Sequence, residues 1–212
     1  VQAAGDLVAA RAELAQLLGV CPLALASLGV GWNSTDQFWT FPERDSSGAV
    51  TGINARHRNG VKRRIKGSRA GLTYAANWRL GERPILLVEG GSDTAALLGL
   101  GLNVIGRPSN NAGIKLLAEI LRDIPPQRQI LVIGVRDQKP DGQWPGREGA
   151  VRTAERLSES LNRTIGWCLP PDDAKDSRMW LNMQVSCPVE RLAALFLSGL
   201  ESEFVAPPPA LP

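Results

Sequence analysis

The sequence predicts an α/β protein, a mainly parallel sheet flanked by helices, preceded by a small mixed α+β domain that is strongly basic. Three observations carry this. From Pro84 onward, short β-branched and leucine-rich runs alternate with helical stretches, the pattern of right-handed crossovers between parallel strands. Before it, residues 32–70 alternate short apolar runs with the turn signals Asp45-Ser46-Ser47-Gly48 and Asn59-Gly60, which favour antiparallel hairpins. Within those hairpins, seven Lys and Arg fall between positions 56 and 69 with no acid among them.

Each element follows in order. Residues 5–19 place apolar side chains at helical spacing with Gly19 as a stop, and PLALASLG reads as a second short helix. The hairpin region runs from Trp32, and Arg79 to Arg83 form a polar joint. ILLVEG is then a strand, and SDTAALLGLG a helix opening on a Ser/Asp/Thr cap, with Asp93 as a cap that also orients the site. NVIGRPS, RQILVIGV and TIGWCLPP are three more strands. AGIKLLAEILRD and GREGAVRTAERLSESLN are the intervening helices. The expected division is a basic N-terminal domain at 1–80 and an α/β domain at 83–185. A C-terminal helix at 186–203 and a Pro-rich tail or linker at 204–212 complete it. The chain opens at Val1 rather than Met, so it reads as a piece of a longer protein.

Composition narrows the class. A hydrophobic fraction of 43% and a charged fraction of 21% are ordinary for a soluble globular protein. No apolar run has the length a bilayer needs, and residues 1–18 lack the basic head and apolar centre of a signal peptide. The expectation is a cytoplasmic protein with no membrane partner. Cys21, Cys168 and Cys187 are far apart and odd in number, and His57 is the single histidine, which argues against structural zinc and for reduced thiols.

Ligands of an open parallel sheet collect at the carboxyl ends of its strands, and three such ends carry acids here. Glu89 follows ILLV and precedes Gly90-Gly91, Asp137 follows ILVIGV, and Asp176 follows TIGWCLPP beside Asp172 and Asp173. Hard divalent cations take oxygen ligands, and carboxylates converging from adjacent strand ends supply them. A single acid after a strand is as readily a helix cap or a solvated turn residue, the competing reading for Asp172 and Asp173. Three such ends together favour a site.

VEGGSDTAALLGLG, the acid in VIGVRD, GREGAVRTAERL and PPDDAKD, taken together, resemble the Toprim fold of bacterial DnaG-type primases, phage primase-helicases, topoisomerases and some nucleases. Glu89-Gly90 matches the first motif of that fold. Asp137 matches the second acid of its Asp-x-Asp motif, with Val135 where the first acid stands, and Lys175-Asp176 fits the third segment. The resemblance spans about residues 83–182. FPERDSSGAVTGINARH, the basic hairpin and GSRAGLTY are similar to the small domain that precedes Toprim in primases, which selects a primase catalytic core within the fold.

That resemblance implies synthesis of short RNA primers on a single-stranded DNA template from nucleoside triphosphates, with a replicative helicase in the same or another chain. It implies Glu89, Asp137 and Asp176 as the catalytic acids, with Mg²⁺ or Mn²⁺ held by Asp137 and Asp176 and Glu89 either joining them or acting in proton transfer. Val135 leaves three options: Asp141 replaces the missing acid, fewer protein ligands hold the metal, or the chain binds nucleic acid with impaired catalysis. A Toprim nuclease is a further alternative. The basic segment, Arg56, Arg58, Lys62, Arg63, Arg64, Lys66 and Arg69, reads as a phosphate groove, with Lys139 and Arg147 flanking the acid loop. A solvated, edge-protecting hairpin is its bland counterpart. Trp32, Trp39 and Trp78 lie near this domain, where core packing competes with base stacking, and Trp144 lies in the acid loop.

Overall fold

The computed structural model describes residues 2–209. Two helices, α1 (Gln2–Leu18) and α2 (Pro22–Ser27), precede an antiparallel sheet. Its strands β1 (Gly31–Asn33), β2 (Phe38–Arg44), β3 (Val50–His57) and β4 (Lys62–Arg64) stand in sequence order. Ala10, Leu14 and Leu18 of α1 bury against Trp39, whose indole N–H donates to the Ala10 carbonyl at 2.7 Å. Trp39 and Trp78 are thus core residues, and Trp32 packs on Trp39 with ring centroids 5.2 Å apart.

The second half alternates as expected. β5 (Ile85–Glu89), α3 (Gly90–Gly99), β6 (Asn103–Arg107), α4 (Ile114–Leu121), β7 (Ile130–Ile133), α5 (Pro145–Leu161) and β8 (Ile165–Cys168) build a sheet ordered β6-β5-β7-β8, all parallel. Both faces are covered, which is why β5 is a continuous apolar run rather than an alternating one. Ile85 and Leu87 face α4 and α5, while Leu86 and Val88 face α3, α6 (Ser177–Met183) and α7 (Val189–Ser198).

Three features differ from expectation. α6 arises where only loop was expected, because Asp176 accepts from the Met179 N–H at 2.7 Å and caps it. The C-terminal helix is shorter, ending at Ser198. Residues 203–205 form β9 (Glu203–Val205), an antiparallel edge strand on β8, so the segment expected as a tail begins inside the sheet. The part of that tail at 210–212 lies outside the described residues.

The two halves are joined by main-chain pairing. Residues 72–73 bridge to both, Leu72 to Arg44 on β2 and Thr73 to Gly106 on β6. A Cβ on Gly106 would collide with Thr94 and approach the Gly90 carbonyl at 3.0 Å, so only glycine lets these segments meet. Among the described residues no helix is long and apolar enough to cross a membrane.

Candidate functional site

Glu89 ends β5 and is the N-cap residue of α3, half-buried. Gly90 follows with φ +73°, a left-handed turn that glycine adopts without strain. At Gly91 a Cβ would stand 2.6 Å from the Phe41 ring, so the absence of a side chain lets β2 lie directly on the start of α3. The antiparallel sheet is thereby held over the strand ends. The space between is a cavity of about 380 Å³ whose walls include Phe41, Asn54, Arg56, Lys62, Arg64 and Glu89.

The register explains which cations reach it. On β3 and β4, Arg56 is paired with Lys62 and Asn54 with Arg64, so these four share one face, while Arg63 alternates to the other and meets the cavity at its rim. Loss of surrounding water lowers the Lys62 pKa, as does the charge of Arg56, and Asp93 and Asp176 pull it back. Burial lowers Arg56 too, helped by Arg178 on α6. Arg56, Lys62 and Arg178 thus form one cationic group facing acids.

Those acids lie in two pairs. Burial raises the Glu89 carboxyl, Arg107 opposes this, and the charge of Asp137 adds to it. Asp93, 5% exposed and inside α3 rather than at its cap, is pushed up to about 7 by burial and then by Asp176. Asp137 accepts from the Gly146 N–H at 2.7 Å, which ties it to the first turn of α5. Asp176 is similarly spent on the α6 cap through one oxygen. Each keeps its second oxygen. Among the described residues no three acids, cysteines or histidines converge on one point. The donor set nonetheless fits a hard cation: two pairs of carboxylates, one of them setting the buried Asp93 beside Asp176, suit a hydrated Mg²⁺ held by one or two protein oxygens each.

The remaining expected residues fall elsewhere. Asp141 is exposed and accepts from the Gln143 N–H at 3.0 Å in a local turn. Val135 itself packs by Gly146, where an added Cβ would be 2.8 Å from both the Val135 Cβ and Asp137 Oδ1. Arg58 is committed to α1: it forms a two-pronged pair with Glu13 at 2.6 and 2.7 Å and lies 4.8 Å over the Trp32 ring. Arg147 stacks on Trp144 and Trp167 at 5.7 and 5.4 Å, in a separate hollow, and Lys139 sits in the exposed turn with Gln143. Lys66 and Arg69 are exposed beyond β4, outside the cavity wall.

Three participants were not foreseen. Arg178 left no signal, because α6 was not recognised. Arg107, 1% exposed at the end of β6, donates to the carbonyls of Asn110 and Ile133 and to the Thr153 hydroxyl. Burial lowers its pKa to about 10 against the pull of Glu89. A charge closing the strand run NVIGR was the available clue. Glu43 is 2% exposed, at the end of the Phe41 face of β2, and alternation along FPERD would have placed it there.

A parallel sheet with acids at its strand ends, roofed by a basic antiparallel sheet, defines a Toprim-like primase-core architecture. The solved structures agree. The chain superposes on the DnaG primase catalytic domain bound to ssDNA with a TM-score of 0.64 at 14% identity, covering 92% of this chain and 73% of that one. Against the zinc-binding and RNA polymerase domains of the Aquifex aeolicus primase the TM-score is 0.67 at 16% identity, covering 92% and 56%. The primase domain of bacteriophage T7 gp4, in a complex with its lagging-strand polymerase and an RNA/DNA hybrid, gives 0.59 at 14%, covering 86% and 89%. This chain therefore has the fold of a primase catalytic core. No family model and no curated protein matches its sequence.

Proposed function

We propose that this chain is the catalytic core of a DNA primase, synthesising short RNA primers on single-stranded DNA by metal-dependent nucleotidyl transfer. The observation that carries this is the opposition of the Arg56–Lys62 row to Glu89 across one cavity at the strand ends, with Asp93 and Asp176 close enough for their charges to act on Lys62. Cations on one wall neutralise a triphosphate, and carboxylates on the other suit the metal that such a transfer needs.

Asp137 with Glu89, and Asp93 with Asp176, are the pairs that would hold Mg²⁺ or Mn²⁺, which when bound lowers the pKa of an attacking 3′-hydroxyl and neutralises the leaving pyrophosphate. Arg56, Lys62 and Arg178 hold the phosphates. Glu89, its pKa raised by burial, either joins Asp137 on the metal or, left off it, takes up the hydroxyl proton. Arg107 fixes the ends of β6 and β7 beneath them. The partners in this reading are the template, the nucleoside triphosphates and a replicative helicase, in the cytoplasm.

A second reading, a nucleic-acid-binding module of a larger replication protein without synthesis, is favoured by Val135 and by the absence of a triple-carboxylate cluster among the described residues. The chain incubated with single-stranded DNA, Mg²⁺ or Mn²⁺ and labelled nucleotides distinguishes them. Extension products support the primase, strand cleavage a nuclease, and a salt-dependent mobility shift alone the module. Glu89→Ala and Asp137→Ala each abolish synthesis while still folding, read as a cooperative unfolding transition. Normal synthesis by both would show the acids to be misassigned.

A further inference from the structure

The cavity face of the antiparallel sheet has two neighbouring rows of different chemistry. The Arg56–Lys62 row carries two cations. Two residues along the strands, about 7 Å at the usual rise, Asn54 stands opposite Arg64 with Phe41 beside it. Behind this second row lies the buried Glu43 carboxylate. It accepts from Asn54 Nδ2 at 2.6 Å, from Arg64 Nε at 3.3 Å and from the Gly71 N–H at 3.3 Å, and Arg64 Nη2 is 3.2 Å from its Oε2. Burial raises its pKa, and the Arg64 charge and the Gly71, Arg64 and Asn54 hydrogen bonds oppose this; every group facing it is a donor, as the ionised form requires.

Two consequences follow for what the row presents. The Asn54 amide cannot be reversed, since that would set its oxygen against the carboxylate, so its Oδ1 and one remaining N–H are left for a ligand. Arg64 spends one edge of its fork on Glu43 and keeps the other, with its side chain 38% exposed. The charges of Glu43 and Arg64 cancel. A row built for phosphate would gain nothing from a carboxylate placed directly behind its arginine, because phosphate binding runs on uncompensated positive charge. A neutral row with fixed donor and acceptor directions suits an uncharged edge. Arginine and asparagine forks are complementary to the N7 edges of guanine and adenine. Phe41 and Pro108 add apolar wall for the ring.

We propose that Asn54 and Arg64 read the edge of a purine base, with Glu43 as the positioning residue that fixes both, while the Arg56–Lys62 row holds phosphate. This rests on the nucleotide-site reading above. The base belongs either to a free nucleoside triphosphate or to the DNA strand, and both present the same edge.

Calorimetry with GTP, ATP, CTP and UTP, and anisotropy with labelled oligo-dA and oligo-dT, each at two salt concentrations, test it on the full chain. Wild type prefers purines about tenfold in one of the two sets, the discrimination expected of a bidentate edge contact. Asn54→Ala and Arg64→Lys erase that preference and leave pyrimidine affinity unchanged. Lys62→Ala weakens all ligands alike, flattens the salt dependence and keeps the preference. Glu43→Gln lowers the preference yet steepens the salt dependence, because Arg64 loses its counterion; a merely structural role would not produce that pairing. Equal wild-type binding of all bases, or equal weakening of all by Asn54→Ala, overturns the base-reading role alone. A wild type that binds neither nucleotides nor DNA overturns both this and the primase reading.

Discussion

Replacing Asp93 by asparagine removes the one carboxylate that the fold buries beside another. The carboxyl is 5% exposed, and burial with the nearby Asp176 raises it from the usual 3.8 to about 7. Between those values the folded chain holds a proton that the unfolded chain has released, so stability falls as pH rises through the window and stays low above it. The full difference amounts to about 4 kcal/mol at 1.36 kcal/mol per pH unit. Asparagine has the same shape, can accept the Arg178 backbone N–H, and carries no charge. Asp93→Asn therefore matches wild type near pH 4 and exceeds it by up to about 4 kcal/mol at pH 8. Urea unfolding in chelator-treated buffer at both pH values measures this. Adding Mg²⁺ at pH 8 stabilises wild type and narrows the gap, since a ligand of the ionised native state shifts unfolding by mass action. Equal stability of the two proteins at pH 8 would refute the assignment of a strained, buried charge.

Gly146→Ala places a methyl group against the Val135 carbonyl and 2.8 Å from Asp137 Oδ1, so it displaces Asp137 and lowers stability by about 1–3 kcal/mol; thermal melts and Mg²⁺ titrations follow the two effects. Arg58→Ala loses the Glu13 pair and the stack on Trp32, lowers the melting temperature, and leaves affinity for single-stranded DNA unchanged in a gel-shift assay. Val135→Asp adds a carboxylate beside Asp137 and tightens Mg²⁺ binding, read by calorimetry. Unchanged affinity would show Val135 to be native to a working arrangement.

Much of the parallel sheet was legible because its strands are buried on both faces, so runs such as ILLV stand out without any knowledge of partners. Glu89 and Asp137 were legible for a related reason: strand ends in such a sheet converge. The cations were harder. All seven in the basic segment look alike in sequence, yet register sends Arg56, Lys62 and Arg64 into the cavity, and long-range partners such as Glu13, forty-five residues from Arg58, claim others. Asp93 looked like a helix cap because its depth depends on α6, a helix that only the Asp176 cap announces. Edge strand β9 was hidden by the prolines that follow it.

Gly106 is the point where Thr73 of the antiparallel half, Gly90 and Thr94 of α3 and the edge of the parallel sheet all touch. Two halves sewn together through main-chain hydrogen bonds at such a point cannot melt one after the other without exposing unpaired amides. Loss of either half removes the other's boundary. Calorimetry should accordingly record a single heat-absorption peak for the whole chain, and a bulky residue at Gly106 should lower that peak rather than split it.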